Sequence, residues 1–499
     1  MIFLLIYGMI FTVIQKDQGV FIMKRSSGVL MHVSSLPGEY SIGSFGKEAI
    51  DFIDFLADSG FSIWQVLPFC MADECNSPYK SYSSFSGNPF FIDLPTLYRE
   101  GLITREELAA AKQKSPYLCE FDRLNSERIA LLTRAAMRVE DRREIISFIE
   151  GFPMLQNTAK FLALRVMNHN APWQEWTEDM PSDDVLFTWQ FIQYKFFKQW
   201  QSVKEYANKR GISIVGDIPI YVATDSADVW ADPSQFLLDK RNQPTSVAGV
   251  PPDYFSEDGQ MWGNPLYNWD AMKEDGYAWW SERIKYMLTL FDGVRIDHFR
   301  GFESFWSVPV DAKTAKEGKW VKGPGEALID KIREIAGDKL IIAEDLGDIT
   351  PEVNALLEYS GFPGMRVFQF AFLGDKDTPH LPHNYTDNCV AYTGTHDNNT
   401  LLGYVWEMDE ETRERVLEYC GGYEKDWNVG CEKIIKTMLR SHAARVILPI
   451  QDILIYGADT RMNTPGTSKD NWAYRISAAQ LAGLDRKKLR ALNELYSRI

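Results

Sequence analysis

Gly293-Val-Arg295-Ile-Asp297-His298-Phe299 is a short apolar, β-branched run that stops on an acid. Just upstream, Trp280, Ile284, Met287, Leu288 and Phe291 recur at helical spacing, so the segment reads as a helix delivering the chain into a strand. The same ending recurs in Ile-Val-Gly-Asp217 and in Ile-Ile-Ala-Glu344-Asp345. Working outward, strands are predicted at residues 29–34, 62–68, 213–218, 293–297, 340–344, 366–371, 390–395 and 446–451. Between several of them lie helical signals. Ile50, Ile53, Leu56 and Ala57 share one face ahead of Gly60, and Thr350-Pro351 reads as an N-cap and first helical residue, with Gly361 ending that helix. Eight strands alternating with helices predict an α/β fold, a (β/α)8 barrel.

Two intervals exceed a simple crossover. Residues 69–200 carry their own helices, one opening with the capping box Thr104-x-x-Glu107, and are predicted to form an inserted, mostly helical subdomain after the second strand. Residues 219–278 are rich in Pro, Gly, Asp and aromatics and read as a long active-site loop region after the third. Fewer than 50 residues follow the last strand, too few for a C-terminal β-sandwich. The barrel is assigned to residues 23–499. Residues 1–22 begin with an apolar run too short to span a bilayer and lacking the basic flank of a secretory signal. They read as a disordered extension or mis-called start before Met23, with a degenerate signal peptide as the alternative.

The formal net charge is -16, which argues against nucleic acid and against an anionic membrane surface. Neutral ligands fit that balance. Aromatic residues make up 13%, including 15 Trp; such rings pack on the apolar faces of sugars and equally fill large cores. Six cysteines without C-x2-C spacing read as reduced thiols in a cytoplasmic enzyme. The histidines show no metal-site spacing and no phosphate-cradling loop precedes a helix, so neither metal nor cofactor is expected.

The acids mark the chemistry. Asp217, Asp297 and Glu344 end strands, and Asp397 follows another in Thr395-His396-Asp397-Asn398. One Asp after a strand is ordinarily a turn or a helix cap. Four on four barrel strands converge on the C-terminal face, where barrel enzymes work. Retaining glycoside cleavage needs a carboxylate nucleophile and a protonated carboxyl close by. Arg295, two residues before Asp297, projects to the same side of its strand and would keep that carboxylate ionised. Glu344 needs a raised pKa, for which crowding by neighbouring carboxylates is the expected cause, and Asp397 with His396 could hold sugar hydroxyls.

At these residues the chain resembles the α-amylase clan, and most closely glycoside hydrolase family 77, the amylomaltases or 4-α-glucanotransferases. The matching motifs are Gly216-Asp217-Ile-Pro-Ile-Tyr-Val222, Gly293-Val-Arg-Ile-Asp-His-Phe-Arg-Gly301, Ala343-Glu-Asp-Leu-Gly347 and Thr395-His-Asp-Asn398. Ser77-Pro78-Tyr79, Gly87-Asn88-Pro89 and Arg461-Met-Asn-Thr-Pro-Gly466 match as well, and residues 249–266 look like that family's active-site cover. The resemblance implies Asp297 as nucleophile, Glu344 as acid/base and Asp397 as transition-state stabiliser. It places Asp217, Arg295 and His396 around the cleaved sugar, with Tyr79, Tyr254, Phe255 and Trp262 as candidate sugar-binding aromatics. Tyr79 either stacks on a sugar or packs the insertion, His32 and His298 are either structural or ligands, and Asp345 reads as a structural acceptor. The implied activity is transfer of α-1,4-glucan segments among maltooligosaccharides and starch- or glycogen-derived glucans. An α-1,4-glucan hydrolase is the alternative, and a catalytically silent glucan-binding protein is disfavoured by the intact acids. Oligomeric state has no signal in the sequence.

Overall fold

The computed structural model describes residues 24–499 apart from 74, 253–255, 375 and 468. The reading of residues 1–22 therefore lies outside the described residues. Twelve strands are present among those described: β1 Ser26–Leu30, β2 Ile63–Gln65, β3 Ser213–Ile218, β4 Ser246–Val250, β5 Gln260–Pro265, β6 Gly293–Ile296, β7 Ser304–Pro309, β8 Lys319–Lys322, β9 Leu340–Ala343, β10 Gly364–Val367, β11 Cys389–Tyr392 and β12 Arg445–Pro449. Eight close a parallel barrel in the order β1-β12-β11-β10-β9-β6-β3-β2. All eight expected strands are found. Two are displaced: the first begins at Ser26 and gives way to a 3-10 turn over Val33–Ser35, and β10 ends at Val367 before another over Phe368–Phe370. Strand length follows barrel pairing, and the apolar residues past each strand end are buried in turns instead.

Barrel strands are buried on both faces, which is why they read as continuous apolar runs. Leu30, Ile63, Val215, Ile342, Met365, Val367, Val390, Tyr392 and Ile447 fill the interior as one cluster. A larger cluster lies between strands and helices. The helix Lys47–Asp58 contributes Ala49, Phe52, Ile53, Phe55 and Leu56, and Gly60 follows it at φ 78, a left-handed angle that a side chain would resist. Thr350 caps the helix Pro351–Ser360 through Val353 N–H, and Gly361 ends it at φ 69. Thr104 and Glu107 form the expected capping box.

Between β2 and β3 run several helices, the last of them Asp183–Lys209. That helix continues past residue 200 onto the barrel wall, where Tyr206 donates to Asp54 at 2.8 Å and the Trp200 indole to Leu290 O at 2.9 Å. The stretch 219–278, read as loop, builds β4 and β5 as well as short helices. With β7 and β8 these form an antiparallel sheet, order β5-β4-β7-β8, that the sequence reading did not anticipate. After β12 only helical elements follow among the described residues, and no described helix is long and apolar enough to cross a membrane.

At the barrel seam, Arg498, 1% exposed, donates to the carbonyls of Ser26, Leu439, Ser441, Ala443 and Ala444. Arg25 adds bonds to Ser441 O and Leu439 O at 2.8 and 2.9 Å. Carbonyls orphaned at a helix end are thereby satisfied across the junction of β1 and β12.

Candidate active site

Three neighbouring strands bring the acids together. Asp217 lies on β3, Arg295 on β6, Asp297 one residue past β6 and Glu344 one past β9. Alternation along β6 turns Arg295 and Asp297 to the same side. One terminal nitrogen of Arg295 reaches both Asp217 oxygens at 2.9 and 2.7 Å, while the other reaches Asp297 Oδ1 at 2.8 Å. Asp217 and Arg295 are buried, and Asp297 keeps 28% of its side chain exposed on the open face. Burial alone would weaken the guanidinium's charge. Asp217 and Asp297 outweigh it and hold Arg295 well above its ordinary pKa, a fixed cation between two carboxylates.

Glu344 is held differently. Its oxygens accept backbone N–H groups, His298 at 2.6 Å and Leu346 at 3.1 Å, and no salt bridge reaches it among the described residues. His298 can point its N–H there because it adopts φ 51, ψ 50, a strained left-handed conformation for a non-glycine residue. Phe299 N–H then bonds Glu344 O at 3.1 Å, folding the turn over the acid. Burial pushes the Glu344 carboxyl up to about 8; Asp297 adds to the rise and Arg295 opposes it. Burial is thus the larger cause, ahead of the carboxylate crowding expected from the sequence.

A second network comes from the segment after β11. His396 Nε2 lies 3.3 Å from Asp397 Oδ2, and the Asn463 amide donates to Asp397 Oδ1 at 2.6 Å. Asp397 keeps 47% of its side chain exposed; its partial burial would raise the carboxyl, yet His396 and Asn463 bring it down to about 2. Asn398 fixes the turn by accepting from Thr395 N–H and Oγ at 2.8 and 2.9 Å. Tyr79 joins the two networks: its hydroxyl donates to Asp217 at 2.8 Å, and its ring stacks on His396 at 4.8 Å and 17°. One face of Tyr79 is thereby occupied by imidazole. Trp472 tilts against both rings at 5.9 Å.

The structure therefore assembles Tyr79, Asp217, Arg295, Asp297, Glu344, His396 and Asp397 at one end of the barrel. Trp262, half-buried on β5, meets the His298 ring edge-on at 5.0 Å. Tyr254 and Phe255, which follow β4 in the sequence, lie outside the described residues. Asp345 accepts from Met365 N–H at 2.6 Å and Arg366 at 2.8 Å, the structural part read for it. His32 is structural too: its Nδ1 accepts from Leu67 N–H, and burial brings it down to about 3. Asn463 and Trp472 were not singled out from sequence, although Asn463 sits inside the noted Arg461-Met-Asn-Thr motif. No cluster of His, Cys, Asp and Glu able to hold a metal occurs among the described residues.

The family model described as 4-alpha-glucanotransferase, glycoside hydrolase family 77, matches residues 31–481. The 4-alpha-glucanotransferase of Clostridium butyricum is 41% identical over 489 residues, which cover 94% of this chain and 100% of that one. The enzyme of the same name from Thermus thermophilus is 40% identical over 505 residues, covering 96% and 100%. Among solved structures, an amylomaltase from Streptococcus agalactiae in complex with acarbose matches with a TM-score of 0.91 at 37% identity, covering 95% of this chain and 100% of that one.

Proposed function

This chain belongs to glycoside hydrolase family 77, the 4-alpha-glucanotransferases, and from that premise we propose that it moves α-1,4-glucan segments through a covalent ester on Asp297. The donor is a maltooligosaccharide or a starch- or glycogen-derived chain, and the acceptor is the 4-hydroxyl of glucose or another glucan. Hydrolysis is not favoured, since the relatives are named as transferases. The observation that carries the mechanism is the contrast between two acids. Asp297 is salt-bridged to a fixed guanidinium, whereas Glu344 is half-buried with only backbone donors and a carboxyl raised to about 8.

In the first half, Asp297 Oδ attacks the anomeric carbon and Glu344 gives its proton to the departing glycosidic oxygen. Glu344 is then the carboxylate that takes the proton from the acceptor hydroxyl as the ester is displaced. Two inversions give net retention. Asp397, ionised and held by His396 and Asn463, accepts hydrogen bonds from sugar hydroxyls and favours the positive charge of the transition state. Tyr79, Asp217 and His396 line the cleaved sugar, and Tyr254, Phe255 and Trp262 serve as sugar-binding aromatics. Six cysteines with no disulfide among the described residues agree with a cytoplasmic setting.

A glycosyl fluoride donor tests the assignment, because fluoride leaves without an acid. With Glu344→Gln, ester formation should proceed while its turnover stalls, so peptide mass spectrometry after denaturation should find a glycosyl ester on Asp297. An ester on any other residue would overturn the proposal.

A further inference from the structure

The residues from 393 to 401 carry His396 and Asp397 between the end of β11 and the helix Leu401–Glu407. Both ends of this segment are held by one buried carboxylate from elsewhere. Asp452, 1% exposed, sits in the short helix Ile450–Leu454 after β12. Its Oδ2 accepts from Thr393 Oγ at 2.5 Å and its Oδ1 accepts from Leu401 N–H at 2.7 Å. Thr393 is the first residue past β11 and is fully buried, and Leu401 is the first residue of its helix. The Leu401 N–H has no partner within its helix, and the helix dipole there favours a negative charge. Burial pushes the Asp452 carboxyl up to about 6, with both hydrogen bonds pulling it back.

We propose that Asp452 is a positioning residue for the transfer reaction: by clamping both ends of residues 393–401 it fixes the height of the His396–Asp397 pair over the cleaved sugar. This rests on the reading of His396 and Asp397 given above. Within the segment, Asn398 ties the turn only to Thr395, and Gln369 Nε2 reaches Asn399 O at 2.7 Å. Neither bond reaches Thr393 or Leu401. Arg461 Nη2 and Asn463 Nδ2 still hold the Asp397 carbonyl and carboxylate at 3.0 and 2.6 Å, so cutting the clamp frees the ends of the segment and lets the pair tilt about that hold. A displacement of about 1 Å suffices for a hundredfold loss of rate.

Three variants and a control test it on maltotriose. Asp452→Ala removes both bonds and should lower kcat about tenfold to a hundredfold, with KM changed much less, because Asp397 is assigned to the transition state. Asp452→Asn keeps the geometry: its carbonyl oxygen accepts Leu401 N–H and its amide donates to Thr393 Oγ. It should retain kcat within about threefold. Thr393→Val cuts one end only and should fall between them, and it serves if Asp452→Ala does not fold. Asp397→Asn is the control and should be inactive. If the control stays active, the reading of the site fails. If the control is inactive while folded Asp452→Ala or Thr393→Val keeps full kcat, the clamp is overturned. Asp452→Asn being as impaired as Asp452→Ala would also overturn it, since charge and not geometry would then matter.

Discussion

The floor of the site and its cover are built on opposite principles. In the floor, the Asp217–Arg295–Asp297 chain and the His396–Asp397–Asn463 chain are fastened by charge-assisted bonds to barrel strands or to the chain that follows them. The proposed cover is the β4–β5 hairpin. Its residues 260, 261 and 263 are exposed, Gly249 pairs with Met261, and Trp262 reaches the floor through ring contact with His298. A rigid floor suits bond making and breaking, where small misplacements are costly. A separate cover, paired to β7 in the second sheet and not to the barrel strands, suits the choice between a sugar and water, which can be adjusted without touching the acids. On the proposed function, this contrast makes cleavage and transfer separable by mutation.

The largest effect should come from the floor. Glu344→Gln should lower turnover of maltotriose about 10^3-fold while hydrolysis-to-transfer partitioning of the residual products stays unchanged. The wild-type rate should fall as pH rises through about 8, where the Glu344 proton is lost. The stability sign follows from the same shift. The native state holds a proton that the unfolded chain releases in the ordinary carboxyl range, so this stabilisation is full at acid pH and is lost as pH rises toward about 8. Melting temperatures of Glu344→Gln relative to wild type should therefore improve across that interval. A relative decline would mean that Glu344 is ionised in the native state.

Next comes the cation. Arg295→Lys supplies a point charge that cannot reach Asp217 and Asp297 together, and should cost about 10^2-fold in kcat. If lysine restores near-normal kcat, the floor tolerates play and the contrast with the cover weakens.

The smallest effect on cleavage, and the most diagnostic for the cover, should come from Tyr254→Ala and Trp262→Ala. Total maltotriose cleavage should change only a few-fold, while the share of cleaved bonds ending in new reducing sugar rises and longer oligosaccharides fall. Water at about 55 M competes with every acceptor, so losing acceptor stacking should show in that ratio first. A proportional fall in both products would assign the hairpin to donor binding or stability.

The floor was readable in the sequence because strand alternation and strand ends are local. Ser213–Ile218 matches its expected bounds, and Arg295 and Asp297 meet as the two-residue period requires. The second sheet was not readable. β4 carries Gly249, β5 carries Gly263 and ends at Pro265, and β8 is four residues long and mostly exposed, so none shows a clean alternation. Asn463 and Trp472 reach the site from aperiodic chain after β12, and only the three-dimensional path brings them beside Asp397 and His396. The cause of the Glu344 shift was likewise beyond reach, because burial depends on the His298 turn closing over it.

The seam held by Arg498 has a consequence in time. Its guanidinium bonds Ser26 O across 472 residues of chain. At about 5–20 residues per second, the ribosome needs roughly 25 to 95 s to make that stretch. For most of that interval β12 is still unmade, and Leu30 lacks the neighbours that later surround it in the barrel interior. An unclosed sheet edge beside apolar side chains is a template for pairing with another chain. Yield in the cell should therefore depend on chaperone supply and growth temperature more steeply than the melting temperature of the finished barrel suggests.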